Sequence, residues 1–319
     1  MCNAVDLKSM SRILTVANVS TDVRIGKVKG FYITLRPVVS MVAIPWAAGM
    51  VILASALYGD FQGSMFSDSE FYLKFFLVII AIFLGVAGGY ALNDYFDYKV
   101  DRANPARTDK AANHSIERRT LLAYTLILGV PSMAIWFYLD IHTFAIAFVL
   151  FLCILAYSAW GKRNTPFSNL FVVAAVALMP IAVFHLYTPQ LTLVVILLAA
   201  INLFFEPGFT WSGVCKDVEG DSKLGIPTLP LRYGIPITSR LILISWLLVV
   251  LLSLVLYFST ELSTIYLVGS TFAGLWLVAL AAKFVREPTP EVGGSTFLKS
   301  TLWLWVFSLA VILDVVFLF

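Results

Sequence analysis

Charge is scarce in this sequence. Lys, Arg, Asp and Glu make up 13% of its 319 residues, where a soluble domain carries about 25%. With 60% hydrophobic residues, the chain has too little polar surface to cover a water-soluble fold, and most of its exterior must face lipid. Cysteine is also sparse. Cys2, Cys153 and Cys215 are far apart, which excludes a disulfide framework and any cysteine-based metal spacing. The net charge of +3 is too small to argue for a nucleic-acid partner. A cleavable signal-peptide pattern is missing, because the first long apolar run begins only near Val38. No low-complexity linker or internal repeat divides the chain. What remains is a multi-pass membrane protein, expected as an amino-terminal segment (1–37) followed by a single domain (38–319).

Apolar runs are what the chain has in abundance. A helical crossing needs about 20 residues, and nine runs qualify or nearly so: 38–58, 71–92, 121–139, 143–160, 167–187, 191–213, 240–259, 263–284 and 301–319. The expected fold is therefore all-α, with nine transmembrane helices. Under that reading 21 of the 22 Lys and Arg fall on one side, and Lys74 alone falls on the other. The positive-inside rule then makes the amino terminus cytoplasmic in a cell-membrane protein. The connections after the second and sixth spans are the longest. They mix charge with apolar residues, so short helices over the membrane face are expected there.

Those two connections carry the chemistry. The second span ends in Asn93-Asp94-Tyr95-Phe96-Asp97-Tyr98-Lys99-Val100-Asp101-Arg102. If the helix continues, Asn93, Asp97 and Asp101 share a face, with Asp94 at its flank. Stacked carboxylates repel one another unless a cation intervenes. Mg²⁺ suits them, because it binds through one or two carboxylates plus phosphate oxygens and water. The sixth span ends in Lys216-Asp217-Val218-Glu219-Gly220-Asp221, followed by Lys223, and again places two acids four apart on the same side of the membrane. One such cluster alone is more often a solvated helix end. Two with the same spacing on the same face favour a pair of metal sites gripping a diphosphate. Arg36, Arg102, Arg107, Lys110, Lys162, Arg163 and Lys223 stand at span ends where they could complete the anion's shell. Glu206, beside Pro207 inside the sixth span, has two open readings, a cavity-facing group or a structural hydrogen bond at a broken helix. His185 and Asp314 read as interfacial.

The pattern Asn93-Asp94-x-x-Asp97-x-x-x-Asp101-Arg102, paired with Asp217-x-x-x-Asp221 and Gly225-x-x-Thr228-Leu229-Pro230, resembles the UbiA superfamily of intramembrane prenyltransferases. The likeness includes Arg36-Pro37 at the first span and Tyr157-Ser158 followed by Lys162-Arg163 after the fourth. It implies nine helices around a central cavity with a cytoplasmic cap. It also implies Mg²⁺-dependent transfer of a prenyl group from a polyprenyl diphosphate to a lipophilic acceptor, which could be an aromatic ring, a glycerol-phosphate lipid or a polyene. By resemblance, Asn93, Asp94, Asp97, Asp101, Asp217 and Asp221 are metal ligands, with Asp97 and Asp217 catalytic. Arg102, Arg107, Lys162 and Lys223 match diphosphate-binding positions. Tyr157 and Ser158 match a pair lining the prenyl site, where the Tyr157 ring could stabilise an allylic cation. Two departures bear on the acceptor. Residues 109–119 lack the usual Arg-Pro and Gly-containing turn, and Val214 stands where some members carry a third acid. The 228–230 and 217–221 forms lean toward lipid, carotenoid or chlorophyll-like branches. A terpene cyclase on the same fold is the enzymatic alternative. A transporter of an anionic metabolite is the non-enzymatic one, although transporters place such groups near the bilayer midplane.

Overall fold

A backbone with no water to hydrogen-bond must satisfy itself along its own segment, which is why long apolar runs fold as helices. The computed structural model describes residues 27–60, 64–103, 110, 112 and 116–318, and its long elements are all helical. A short helix, α1 (Lys27–Thr34), precedes α2 (Pro37–Tyr58), α3 (Ser69–Ala103), α4 (Arg118–Leu139) and α5 (Ile141–Asn164). Then come α6 (Asn169–His185), α7 (Leu193–Lys216), two short helices α8 (Val218–Lys223) and α9 (Leu229–Tyr233), and finally α10 (Ile235–Phe258), α11 (Thr264–Arg286) and α12 (Pro290–Leu318).

Among the described residues, eight of these helices are long and apolar enough to cross a membrane. The ninth expected span, α6, is apolar but has only 17 residues, about 25 Å of helix. Element boundaries shifted most where polar residues extend a helix beyond lipid. The 35 residues of α3 make a rod of about 52 Å, so it carries its acidic end clear of a hydrocarbon core of about 30 Å. Likewise α12 begins at Pro290, eleven residues before the expected 301, with proline where a helix tolerates it best. The connection after α7 contains short helices, as expected. Most of the connection after α3 lies outside the described residues.

Consecutive spans pack on one another, and α12 closes the ring against α2, with α7 also packed on α12. Lipid gives apolar surfaces no reason to leave it, so close packing and polar contacts hold such helices together. Phe205 of α7 stacks on Trp303 of α12 at 4.3 Å between ring centroids, and Trp303 stacks on Phe307 at 4.8 Å. Ser132 of α4 donates to the Ala81 carbonyl of α3 at 2.7 Å. The helix beside Pro207 is braced from α10, where Ser245 donates to the Phe204 carbonyl (2.8 Å) and the Trp246 indole to the Phe205 carbonyl (3.1 Å). Gly208 permits that approach, since a Cβ there would lie 2.2 Å from Trp246 Nε1. Large apolar side chains such as Ile127, Phe137 and Phe272 point outward and exposed, as lipid-facing residues should.

Candidate functional site

The helix does continue through the first acidic motif. Asn93, Asp94, Asp97 and Asp101 all lie on the last turns of α3, and all four are buried. A buried carboxylate without a partner is costly, and here basic side chains supply the partners. Asp94 Oδ1 receives Arg36 Nη2 at 3.1 Å and faces Lys110 Nζ at 3.5 Å. Asp97 pairs with Lys162 through one oxygen and with Arg163 Nη2 through the other, the latter at 2.9 Å. Arg36 stands at the break between α1 and α2 in a left-handed conformation, φ 46°, uncommon for a residue with a side chain. Its guanidinium lies 4.5 Å from the centroid of the Tyr90 ring, which sits one turn before Asp94 on α3. Burial and the neighbouring Arg36 push the Lys110 ammonium below its usual pKa, with Asp94 and Asp101 pulling the other way.

Lys162 and Arg163 reach Asp97 because α5 changes pitch before it ends. Residues Tyr157–Gly161 form a π-helical turn, a form that concentrates at functional sites. Arg163 Nη1 binds the Ser158 carbonyl at 2.9 Å, and its Nη2 also binds the Phe96 carbonyl at 2.7 Å. The guanidinium thereby ties the end of α5 to the acidic end of α3. The Tyr157 ring faces the cavity within reach of the charges on Lys162, Asp97, Arg36 and Asp221. It is therefore near an acid of each motif.

The second motif straddles a helix break. Asp217 ends α7 and begins α8, and the Asp221 amide donates to the Asp217 carbonyl at 2.9 Å. Asp221 is buried and Asp217 half-buried. The chain then turns at Gly225, φ +64°, a value glycine adopts without strain.

Both motifs open on one cavity of about 1640 Å³. Its mouth carries Arg36, Asn93, Lys110, Lys162, Asp217 and Asp221, and it runs inward between apolar walls that include Trp46, Met133, Phe148 and Met179. A second, smaller space of about 240 Å³ lies against Asp97, Lys162 and Arg163. Near the mouth several buried polar atoms have no hydrogen-bond partner among the described residues: Asn93 Nδ2, Asp94 Oδ2, Ser158 Oγ and Thr228 Oγ1. Unsatisfied buried polar groups are rare and call for an explanation. Among the described residues no three acids or histidines converge on one point. A Mg²⁺ ion here would thus take one or two carboxylates and need further oxygens from a phosphate and water, which is its ordinary habit. The donor set fits the ion.

Asn93, Arg36, Lys110, Tyr157, Ser158, Lys162, Asp217 and Asp221 all line the cavity. Asp94, Asp97 and Arg163 are joined to its mouth through ion pairs with lining residues or with one another. Arg102 and Lys223, expected in the anion's shell, lie apart from it. Arg102 is exposed and donates to the Tyr98 hydroxyl at 3.3 Å, and Lys223 pairs with Glu219 at 2.7 Å on the surface. Both bonds join residues four apart on one helix, the nearest partners a long basic side chain finds. Arg107 lies outside the described residues. Of the readings left open for Glu206, its place on the cavity wall fits the first. Asp314 is fully buried and caps α11, while His185 Nε2 lies 3.9 Å from Asp140 Oδ1 in the turn between α4 and α5. Sequence reasoning missed Tyr90, Lys216 and Thr228 as lining residues. Tyr90 could have been found from its place three residues before Asn93 on one helical face. Thr228 stood in the Gly225-x-x-Thr228-Leu229-Pro230 stretch that carries the resemblance, but with no role assigned to it.

A model of the UbiA prenyltransferase family matches residues 42–307. A protoheme IX farnesyltransferase of Macrococcus caseolyticus is 25% identical over 290 residues, covering 89% of this chain and 87% of its own. A digeranylgeranylglyceryl phosphate synthase of Thermococcus gammatolerans is 33% identical over 164 residues, covering 50% of this chain and 56% of its own. The fold is shared with a UbiA homologue from Aeropyrum pernix (TM-score 0.71, 16% identity, 86% of this chain and 97% of that one). It is shared also with a UbiA homologue from Archaeoglobus fulgidus solved with GPP and Mg²⁺ (TM-score 0.57, 16% identity, 89% and 99%).

Proposed function

The chain belongs to the UbiA prenyltransferase family, whose match spans most of it, and on that premise we propose that it transfers a polyprenyl group from a prenyl diphosphate to a lipophilic acceptor, with Mg²⁺ as cofactor. The observation that carries this reading is a large, mostly apolar cavity whose lining includes Asn93 of the first motif, Asp217 and Asp221 of the second, and Arg36, Lys110 and Lys162. A hydrocarbon chain fits the walls, and a diphosphate fits the mouth.

In this reading Asn93, Asp94, Asp97, Asp101, Asp217 and Asp221 hold the metal. When bound, Mg²⁺ neutralises charge on the diphosphate, whose negative charge grows as the bond to the allylic carbon breaks. Arg36, Lys110, Lys162 and Arg163 exchange carboxylate partners for phosphate oxygens, and a guanidinium fork can hold two such oxygens at once. The electron pair of the breaking C–O bond leaves with diphosphate, and the Tyr157 ring faces the allylic cation. The acceptor forms the new bond to that carbon and gives up a proton. Apolar walls keep water from capturing the cation first. Residues 38–319 act as one domain, and the basic end of the bundle, with the site, faces the cytoplasm by the positive-inside rule.

The digeranylgeranylglyceryl phosphate and protoheme relatives keep both glycerol-phosphate and ring acceptors in view. The test incubates purified protein with Mg²⁺, labelled geranylgeranyl diphosphate and an acceptor panel, and follows products by mass spectrometry. An acceptor heavier by one prenyl unit is expected, with diphosphate release lost in EDTA and restored by Mg²⁺. A cyclic hydrocarbon without conjugate would replace the transferase reading by a cyclase. Failure to release diphosphate from any chain length would leave transport of an anionic metabolite as the better account.

A further inference from the structure

A prenyl chain is all hydrocarbon, yet one wall of the cavity is not. Asn202, Glu206 and Thr210 follow one another at intervals of four along α7, and all three line the cavity. Spacing of four keeps them on a single helical face, and Asp217 and Asp221 end the same wall at the mouth. The other walls are mostly apolar, with Gly85, Val130, Met133 and Phe148 among them, and polar residues there such as Thr125, Ser132 and Asn169 carry no charge. Glu206 is thus the one carboxyl among the described lining residues outside the two acidic motifs, and a prenyl chain cannot use it.

Glu206 is the middle residue of the three. It is only 7% exposed, and among the described residues no hydrogen bond or ion pair engages its carboxyl. It lies eleven residues before Asp217, about 16 Å along the helix, so it belongs to neither acidic motif, and it is in electrostatic reach of Tyr90, the ring that Arg36 covers. Its neighbours have other partners: Asn202 donates its amide to the Val176 carbonyl at 3.1 Å, and the Thr210 hydroxyl donates to the Glu206 backbone carbonyl at 2.9 Å. The helix around Pro207 does not need the carboxyl either, because Ser245 and Trp246 of α10 brace it through the neighbouring Phe204 and Phe205 carbonyls. A buried carboxyl that serves neither helix nor ion pair is costly to keep, so a bound molecule is the partner it lacks.

Resting on the transferase reading, we infer that Glu206 is the specificity-determining residue for the acceptor, and that the acceptor carries a hydroxyl which donates a hydrogen bond to its carboxyl on the cavity wall. A hydroxyl is the group that suits it, since a carboxyl accepts from a hydroxyl whether or not it is protonated. A hydroxyl-free polyene gives Glu206 nothing and leaves it buried and unsatisfied, which selects against that class. A site built to bind a hydroxyl rejects the analogue that lacks it far more strongly than an apolar pocket rejects an extra methylene.

The experiment compares wild type, Glu206→Leu and Glu206→Gln in detergent with Mg²⁺ and labelled geranylgeranyl diphosphate. The acceptors are geranylgeranylglyceryl phosphate, a long-chain hydroxybenzoate and the O-methyl ether of that hydroxybenzoate, whose ring carbon can still attack, with β-carotene as the hydroxyl-free polyene. Transfer confined to the hydroxylated acceptors is expected. Glu206→Leu should raise KM for the acceptor by at least about tenfold, with KM for the prenyl diphosphate and acceptor-free diphosphate release within about twofold of wild type. Glu206→Gln, which still accepts a hydrogen bond, should recover most of the loss, whereas a merely structural carboxyl would move both KM values together. Equal transfer to a hydroxyl-free acceptor, or an unchanged acceptor KM in Glu206→Leu, overturns the inference and leaves the transferase standing. Absence of diphosphate release in the wild type overturns both.

Discussion

The bundle buries carboxylates at both of its ends and holds them in different ways. At the far end Asp314 of α12 is 0% exposed and accepts from the backbone amides of Ser263 (2.9 Å) and Tyr266 (2.8 Å), and from the Ser263 hydroxyl. Those amides open α11 and have no partner inside their own helix. At the other end Asp94 and Asp97 are each 2% exposed but are held by Arg36, Lys110, Lys162 and Arg163. A backbone amide cannot move without unwinding its helix. A Lys or Arg on a long stem can change partner while the fold stays put. Under the proposed function the amide-held acid is structural and the cation-held acids are the ones that bind. Asp94 Oδ2, buried with no hydrogen bond among the described residues, makes the same distinction at a single atom.

The sharpest way to break that comparison is to remove one acid from each end. Asp97→Ala should lower turnover by about a thousandfold or more, the scale for losing a group that acts on charge developing in the transition state. It should leave a folded, monodisperse protein, because Lys162 and Arg163 remain partly solvated at the mouth. Asp314→Ala should do the reverse. It strands two amides and a hydroxyl, so unfolding should become easier by about 3 kcal/mol, while turnover per folded molecule stays within about twofold of wild type, since nothing near the cavity mouth changes. Diphosphate release and thermal unfolding in detergent, measured on both variants, decide it. Loss of stability from Asp97→Ala with residual activity intact, or the converse for Asp314→Ala, would merge the two classes of acid.

Hydropathy made the helices legible, because lipid permits an apolar segment so few alternatives. The first acidic motif was legible too, since spacing of four has a meaning only if the helix continues past Leu92, and α3 does continue to Ala103. Less local features were not. Nothing in Tyr157–Gly161 announces a π-helical turn, yet that turn directs Lys162 and Arg163 toward α3. The left-handed Arg36 is likewise imposed by tertiary contact with Asp94 and Tyr90 rather than by its own preference. For the same reason the sequence could count basic residues at span ends but could not sort them. Whether such a side chain turns inward to a buried acid or outward to a neighbour one turn away depends on what the opposite helix presents. Glu206 had two readings until the Ser245 and Trp246 bonds to the helix beside Pro207 were visible.

That sorting of basic residues gives the smallest expected effect and the finest test of the comparison. Lys162 and Lys223 both neutralise a carboxylate. Lys162 does so at the cavity mouth with a partner 3% exposed, and Lys223 on the surface with a partner 85% exposed. Exposed pairs between residues four apart on a helix contribute little, since water and salt screen them. Arg102, exposed and bonded to the Tyr98 hydroxyl one turn away, belongs with Lys223. Lys223→Ala and Arg102→Ala should therefore change KM for the prenyl diphosphate by no more than about twofold, whereas Lys162→Ala should raise it by about tenfold or more. The measurement is initial rate against prenyl diphosphate concentration at two ionic strengths. A tenfold rise for Lys223→Ala or Arg102→Ala would mean that these side chains swing from their surface partners to the diphosphate on binding. The mobile cations would then extend beyond those already resting on buried acids, and burial of the partner would no longer mark which basic residues serve the site.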